Sequence, residues 1–319
     1  MALDLRPLTL GELLDRSFWL FRRHFGLFVG LMAVPSVITL LFGVVLLLFP
    51  EIIKDPQRTG SEPDPATIAL FAVVGILGFT VFIIVYWVAY MITLGATTAA
   101  VSELYVGRTA TIVSSYARVR GMVGKLALVT LLIALRVLAV FIVSFAVAAV
   151  VGIVLAIALG PLAMVLVFAG TMAGMLACFV YSLRFSVAVP ALVLEQVTAA
   201  EAVRRSVDLT KDNLGRTAVI LVFALIITYA TLALFQAPFT VAAVFAGPES
   251  STAFWLNMIG TFTGTIAGAI SGPLMIIALA LLYYDLRIRK EGLDLAIMMA
   301  NLDSDGAPPA PPLHVPTTG

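Results

Sequence analysis

Two arginines lie inside long apolar runs of the sequence, where a charged residue points to a functional site. Arg136 and Arg184 are each 24 residues from Gly160, which is about 36 Å along a helix that rises about 1.5 Å per residue. The hydrocarbon core of a bilayer is about 30 Å thick. If Gly160 lies at the outer interface, both guanidinium groups lie just inside the inner headgroup layer. There they could bind the phosphate of an anionic lipid or a carboxylated ligand.

The alternative role of these arginines is structural. They could snorkel to the interface, or they could pair with one of the acidic residues at neighbouring helix ends, which are Glu103, Glu195 and Asp285. Asp285 follows two tyrosines at the end of the last apolar run, where Arg184 could reach it. We therefore predict an ion-pair latch between Asp285 and Arg184.

The remaining residues offer few groups for catalysis or metal binding. The one cysteine, Cys178, lies in an apolar run, and the two histidines lie at a helix end and in a Pro-rich tail. Neither a thiolate nor a histidine metal site is expected, and no cofactor is predicted. No nucleophile and base converge within the apolar runs, so the sequence does not predict an enzyme. A lipid-modifying activity would require Asp285, Glu195 and Glu103 to meet in one pocket.

Four glycines recur at every fourth position in GTFTGTIAGAISGP, namely Gly260, Gly264, Gly268 and Gly272. They would form a bare stripe about 18 Å long on one helix face, where a second helix can approach closely. This pattern predicts helix packing, within one chain or between two. The alternative is a pore-lining or hinged transporter helix, since Pro273 follows the stripe.

These residues must be positioned by membrane helices. The chain is 61% apolar and 12% charged, whereas soluble domains are about 45–50% apolar and about 25% charged. Apolar runs of about 20 residues are long enough to cross a bilayer. Six such spans are predicted near residues 26–49, 68–93, 126–159, 162–189, 218–245 and 254–284. The fold class is therefore an all-α integral membrane protein.

The basic residues predict the orientation of the spans. Fifteen Lys and Arg lie on one side, in 1–25, 108–125, 204–216 and 287–290, and two lie in the loops on the other side. Because cytoplasmic loops are enriched in Lys and Arg, both termini are expected to be cytoplasmic, in a bacterial plasma (inner) membrane. A nucleic-acid partner is not expected, because the basic residues follow one membrane face.

Three short segments that precede pairs of spans begin with a helix-capping pattern. The chain reads TLGELLDRSFWLFRRHFG from Thr9 and TAAEAVRRSVDLTKDNLG from Thr198, with six of eighteen positions identical. Each begins with Thr-x-x-Glu, a capping box. A weaker copy begins at Thr111, with Ser114 in place of Glu. We predict amphipathic helices on the cytoplasmic side at 9–25, 111–124 and 198–214, and an internal repeat of two or three units. Alternatively, any helix that enters a membrane from the cytoplasm carries a cap and basic residues.

The predicted organisation is one six-span membrane domain, 1–295, followed by a Pro-rich tail, 296–319, that reads as disordered.

The segments LTLGELLDRSFWLFRRHF, PALVLEQVTAAEAVRRSVDL and LLYYDLRIRKEGLDLAI resemble the membrane-domain family of glycerophosphoryl diester phosphodiesterase. In relatives that give the family its name, such a module precedes a catalytic barrel. Only about 25 residues follow Asp294 here, too few for that barrel or its metal site. The resemblance therefore implies the fold and the membrane location of a stand-alone module, without the hydrolase activity.

The function predicted from these features is a non-enzymatic multi-pass membrane module, a scaffold or accessory subunit that binds lipid or a partner protein. The partners expected are membrane lipids, a second copy of the chain or another membrane protein. The alternative is a small transporter or channel for an anionic substrate, which predicts a polar cavity bounded by the fourth and sixth spans.

Overall fold

The computed structural model describes residues 7–53, 65–159, 162–247 and 250–292. The predicted hairpin apex at Gly160 and the predicted disordered tail 296–319 lie outside these ranges. Within them the chain forms ten helices: α1 (Leu10–Arg23), α2 (Phe25–Ile53), α3 (Pro65–Tyr105), α4 (Ile112–Arg120), α5 (Val123–Leu159), α6 (Leu162–Leu183), α7 (Ala188–Glu195), α8 (Ala199–Thr210), α9 (Leu214–Ala246) and α10 (Ser251–Glu291).

Six helical stretches are long and apolar enough to cross a membrane, as the sequence predicts. They lie on α2, α3, α5, α6 with α7, α9 and α10. The protein is therefore an all-α multi-pass membrane protein.

The starts of the three short amphipathic helices are fixed by side-chain caps. Thr9 Oγ1 accepts from the Glu12 N–H at 3.3 Å, and Glu12 Oε2 accepts from the Thr9 N–H at 2.8 Å. Thr111 and Ser114 form the same reciprocal pair at 3.1 and 3.0 Å. Thr198 caps α8 by accepting from the Glu201 N–H at 3.3 Å. The helix starts predicted from the capping pattern are confirmed. In α4, Ser114 takes the place of the glutamate in the capping box.

The three short helices are alike in what they bury. Each is followed in the chain by two long helices. When Thr9, Thr111 and Thr198 are aligned, the same two positions are buried in every copy: Leu13 and Ser17, Ser115 and Val119, Ala202 and Ser206. The spacing of four residues places each pair on one helix face.

The buried residues concentrate at one end of the helix bundle. We call this end the packed layer: α1, α4, α7 and α8 together with the adjoining ends of α2, α3, α5, α9 and α10. Tyr283, Phe28 and Leu31 are fully buried there. Away from the packed layer the long helices expose large apolar side chains, for example Ile76 and Leu234. Exposure of this kind suits contact with lipid, because lipid tails are themselves apolar.

Three span boundaries differ from the sequence prediction. The second span continues beyond residue 93 to Tyr105, and the sixth continues beyond residue 284 to Glu291, because both helix ends belong to the packed layer. The predicted fourth span, 162–189, is two helices in the structure, since α6 ends at Leu183 and α7 begins at Ala188. Pro190 lies in the first turn of α7, where its missing N–H costs no helical hydrogen bond.

The glycine stripe of α10 packs within the chain against two neighbours. A Cβ at Gly260 would lie 3.2 Å from Phe239 Cβ of α9, and one at Gly264 would lie 2.9 Å from Gln236 Oε1. A Cβ at Gly272 would lie 3.1 Å from Met32 Cε of α2. At Gly268 nothing would lie within 4 Å. The stripe is therefore a packing surface at three positions and is open at the fourth.

If the packed layer holds the fold together, truncating one of its buried side chains should be costly. Leu13 is 0% exposed, so we expect Leu13→Ala to lower the free energy of unfolding by about 2–5 kcal/mol through lost burial and the cavity left behind. Leu41, which is 61% exposed, is the control, and Leu41→Ala should change it by less than about 0.5 kcal/mol. Denaturant titration in detergent micelles measures both, and equal losses would contradict this account.

Candidate functional site

The structure places Arg136 beside Phe185, the residue that follows Arg184. Arg136 lies on α5, and Arg184 follows the last residue of α6. The Arg136 guanidinium carbon is 6.0 Å from the centroid of the Phe185 ring, within range of a cation–π contact. Both arginine side chains are exposed. In the part of the chain that the structure describes, neither guanidinium contacts a carboxylate.

Arg184 closes one end of an open groove along α6. The groove has a volume of about 460 Å³ and is lined by Ala173, Leu176, Ala177, Val180, Tyr181 and Arg184. Its walls are apolar, with the phenol and the guanidinium together at one end. This arrangement fits an amphiphile with an aliphatic chain and an anionic head, because an apolar chain gains from the walls and a guanidinium binds oxyanions.

The acids proposed as partners of these arginines are paired elsewhere. Asp285 is 1% exposed, and its Oδ2 lies 3.0 Å from Arg216 Nε and 2.9 Å from Arg289 Nε. Its Oδ1 accepts from the Leu8 N–H at 2.8 Å. The Leu8 carbonyl in turn accepts from Arg216 at 2.6 Å and from Arg289 at 2.5 Å. One carboxylate and two guanidinium groups thus clamp the backbone just before α1.

This clamp replaces the predicted latch between Asp285 and Arg184. Arg184 is exposed, whereas Asp285 is buried, and the backbone carbonyl of Arg184 accepts from Ser206 at 2.8 Å and from Thr210 at 3.3 Å. Arg289 could have been identified from the sequence, since a spacing of four places it beside Asp285 on one helix face. Nothing local in the sequence points to Arg216 or to the Leu8 backbone.

Glu195 is the centre of a second ion-pair group, which joins α7, α8 and α10. Arg205 Nε lies 3.1 Å from both carboxylate oxygens, and the Tyr283 hydroxyl donates to Oε1. Arg205 and Arg287 also bind Glu291, at 2.5 and 2.9 Å. Tyr283 is fully buried, so this group continues directly into the apolar core.

Glu103 is held at the end of α3 by Arg118 of α4 and, at 3.7 Å, by Arg108. Glu103, Glu195 and Asp285 therefore occupy three separate ion-pair groups and do not meet in one pocket. Among the described residues, no group of three or more His, Cys, Asp or Glu side chains could hold a metal ion.

Lys290 ties the turn between α8 and α9 to α10. Its Nζ donates to the Asp212 carboxylate at 2.7 Å and to the Asp208 carbonyl at 2.6 Å. The hydrogen bond and the positive charge of Lys290 lower the pKa of Asp212. The positive charge of Lys290 is therefore bound within the protein, away from the groove.

A cavity of about 340 Å³ is lined in part by the fourth and sixth spans, as predicted for a transporter, but its lining is mainly apolar. A second cavity has a volume of about 690 Å³ and is bounded by α2, α3, α9 and α10, which carry the first, second, fifth and sixth spans. The fourth span does not reach this second cavity because α6 packs mainly on α5, whereas α2 and α9 both pack on α10. The described residues that line this cavity include no charged side chain.

Loss of the Asp285 charge should destabilise the protein strongly. Asp285→Asn leaves Arg216 and Arg289 without their carboxylate, and we expect it to lower the free energy of unfolding by about 3 kcal/mol, since an unpaired buried charge is costly. Asp208→Asn is the control, because Asp208 is 64% exposed and lies 4.0 Å from Arg204, so a loss below about 1 kcal/mol is expected. Unfolding in detergent measures both variants, and similar values for the two would refute the clamp.

Comparison with known proteins supports the resemblance found in the sequence. Residues 161–301 match the family model described as the membrane domain of glycerophosphoryl diester phosphodiesterase. No curated protein and no solved structure gives a significant match. The matched region includes two of the three resembling segments, together with Arg184, the Glu195 group and the glycine stripe. Over residues 161–301 the chain is therefore similar to the membrane domain of glycerophosphoryl diester phosphodiesterase.

Proposed function

We propose that the protein is a non-enzymatic membrane module that binds an anionic phospholipid at Arg136 and Arg184, and that it acts as a scaffold or accessory subunit in the bilayer. The observation that carries this proposal is the pairing of the charges. Asp285, Glu195 and Glu103 are each bound by other arginines, which leaves Arg136 and Arg184 available to an external anion.

The apolar groove beside Arg184 favours a lipid as the anionic ligand. The chain of a phospholipid would lie along Ala173, Leu176 and Ala177, and its phosphate would lie at Arg184 and Tyr181. Arginine suits this role because its planar guanidinium donates two parallel hydrogen bonds to one phosphate. Arg136, beside the Phe185 ring, supplies a second positive charge at the same level.

The proposed location is a bacterial plasma membrane, with the packed layer and both termini on the cytoplasmic side. The strong bias of Lys and Arg towards one membrane face supports this orientation. The cytoplasmic leaflet carries anionic lipids, which attract basic residues near the surface. The proposed ligand would therefore be abundant where the two arginines lie.

The non-enzymatic character is part of the proposal and is supported by the family match, which is to a membrane domain and not to a catalytic domain. Transport of an anionic substrate has less support. The large cavity offers no positive charge to an anion, and burying an unpaired charge in an apolar environment is costly.

The test is lipid retention by the full-length protein. We expect native mass spectrometry of gently extracted protein to show bound phosphatidylglycerol or cardiolipin. The Arg136→Ala, Arg184→Ala double variant should bind it about 30-fold more weakly, since each basic residue near the surface contributes about 1 kcal/mol.

The matched control removes two positive charges elsewhere on the same side. Arg120 and Arg204 are both exposed, and the Arg120→Ala, Arg204→Ala variant should retain the lipid. Equal loss in both double variants would indicate a diffuse charge effect and would refute the site. A stoichiometric second protein chain in place of lipid would refute the lipid site and would indicate a module that binds a protein partner.

A further inference from the structure

The 690 Å³ cavity is a second candidate binding site, built from helices that take no part in the arginine groove. Ser36 and Thr39 of α2, Thr228 and Gln236 of α9, and Thr261 and Thr265 of α10 supply polar groups to its lining. Its volume is within the range of about 300–1,000 Å³ that is usual for small-molecule sites. The position of the lining residues within four spans places it at bilayer depth.

Most of the hydroxyl donors in the lining are already used. Thr39 donates to the Pro35 carbonyl at 3.0 Å, and Thr228 donates to the Ala224 carbonyl at 2.9 Å. Thr261 does the same one turn back on α10, at 2.9 Å. These threonines satisfy their own hydrogens within the helix, so they present acceptor lone pairs to a ligand.

Two tyrosines supply the free donors. The rings of Tyr86 and Tyr90 stack at 5.8 Å between centroids, and both line the cavity. In the described ranges neither hydroxyl has a hydrogen-bond partner. Both tyrosines are half-buried, so their hydroxyls remain accessible from the cavity. A ligand with an acceptor oxygen, such as a carbonyl, would supply a partner, and the flat ring faces would contact its apolar part.

The cavity opens sideways towards lipid. Leu46 of α2 and Tyr229 of α9 line it and are both exposed. The helices on either side of the opening pack on α10, and Gly268 has open space before it. A ligand dissolved in the bilayer could therefore enter without crossing the packed layer.

We propose that this cavity binds an uncharged lipid whose carbonyl oxygens accept hydrogen bonds from Tyr86 and Tyr90. Two membrane sources share this chemistry: a diacylglycerol, through its ester carbonyls, and an isoprenoid quinone, through its ring carbonyls. An anionic phospholipid does not fit, because the lining holds no basic residue. The cavity thus favours an uncharged ligand, whereas the groove at Arg184 favours an anion, and the two proposals are independent.

The experiment is photoaffinity labelling of the full-length protein in detergent. One arm uses a diacylglycerol with a diazirine in its acyl chain, and the other uses a diazirine-bearing isoprenoid quinone. We expect one of them to label peptides of α2, α9 and α10 saturably, and the arm that labels identifies the source. Unlabelled phosphatidylglycerol should compete poorly.

Two glycine variants test the location. Gly268→Leu places a side chain in the cavity and should raise the half-saturating concentration by at least about tenfold, because the ligand and the new side chain cannot share the space. Gly75→Leu is the matched control: Gly75 is also a helical glycine with nothing within 4 Å of a Cβ, and it lies outside the cavity. It should leave the value within about twofold.

The Tyr86→Phe, Tyr90→Phe double variant removes the donors and keeps the rings, and we expect about fivefold weaker labelling or more. This double variant also tests whether the ligand occupies the cavity if Gly268→Leu fails to fold. No saturable labelling by either probe would overturn the proposal. Labelling unchanged in the folded Gly268→Leu variant, or competition by phosphatidylglycerol as strong as that of the neutral lipid, would also overturn it.

Discussion

The packed layer depends on one buried carboxylate. Asp285 is almost fully inaccessible and lies near the end of the last helix, yet it holds the backbone that precedes the first helix. A lone carboxylate in such a place would be very costly. Arg216 and Arg289 offset this cost, and they also satisfy the Leu8 carbonyl. The same three side chains therefore neutralise a buried charge and join the backbone before α1 to α9 and α10.

Charge pairing also decides which residues remain available for ligands. The packed layer joins its helices through the Asp285, Glu195 and Glu103 groups, each of which connects different helices. Arg136 and Arg184 lie beyond this layer, against Phe185 and the α6 groove. Their exposure follows from the way in which the neighbouring acids are paired. The anion site that we propose uses these two arginines because the neighbouring acids are paired with other cations.

Local patterns in the sequence predicted most of the local structure, although the break between α6 and α7 was missed. The errors about contact partners are long-range. Thr111 and Ser114 were identified as a helix start because a cap involves residues three apart, and the apolar runs placed six spans because bilayer thickness fixes their length. The partner of Asp285 was wrong because Arg216, at the start of α9, lies far from Asp285 in the sequence. The order of spans along the chain also does not reveal that α2 and α9 both pack on α10 around the 690 Å³ cavity.

The clamp on Leu8 also orders the assembly of the protein in time. A chain is made from its N-terminus, so α1 leaves the ribosome long before α10 exists. The groups that hold Leu8 come from the start of α9 and the end of α10. Until the end of the sixth span has been synthesised, the Leu8 backbone has no carboxylate to bind. Completion of the last helix is thus the event that closes the clamp, and a chain released before residue 285 cannot form it.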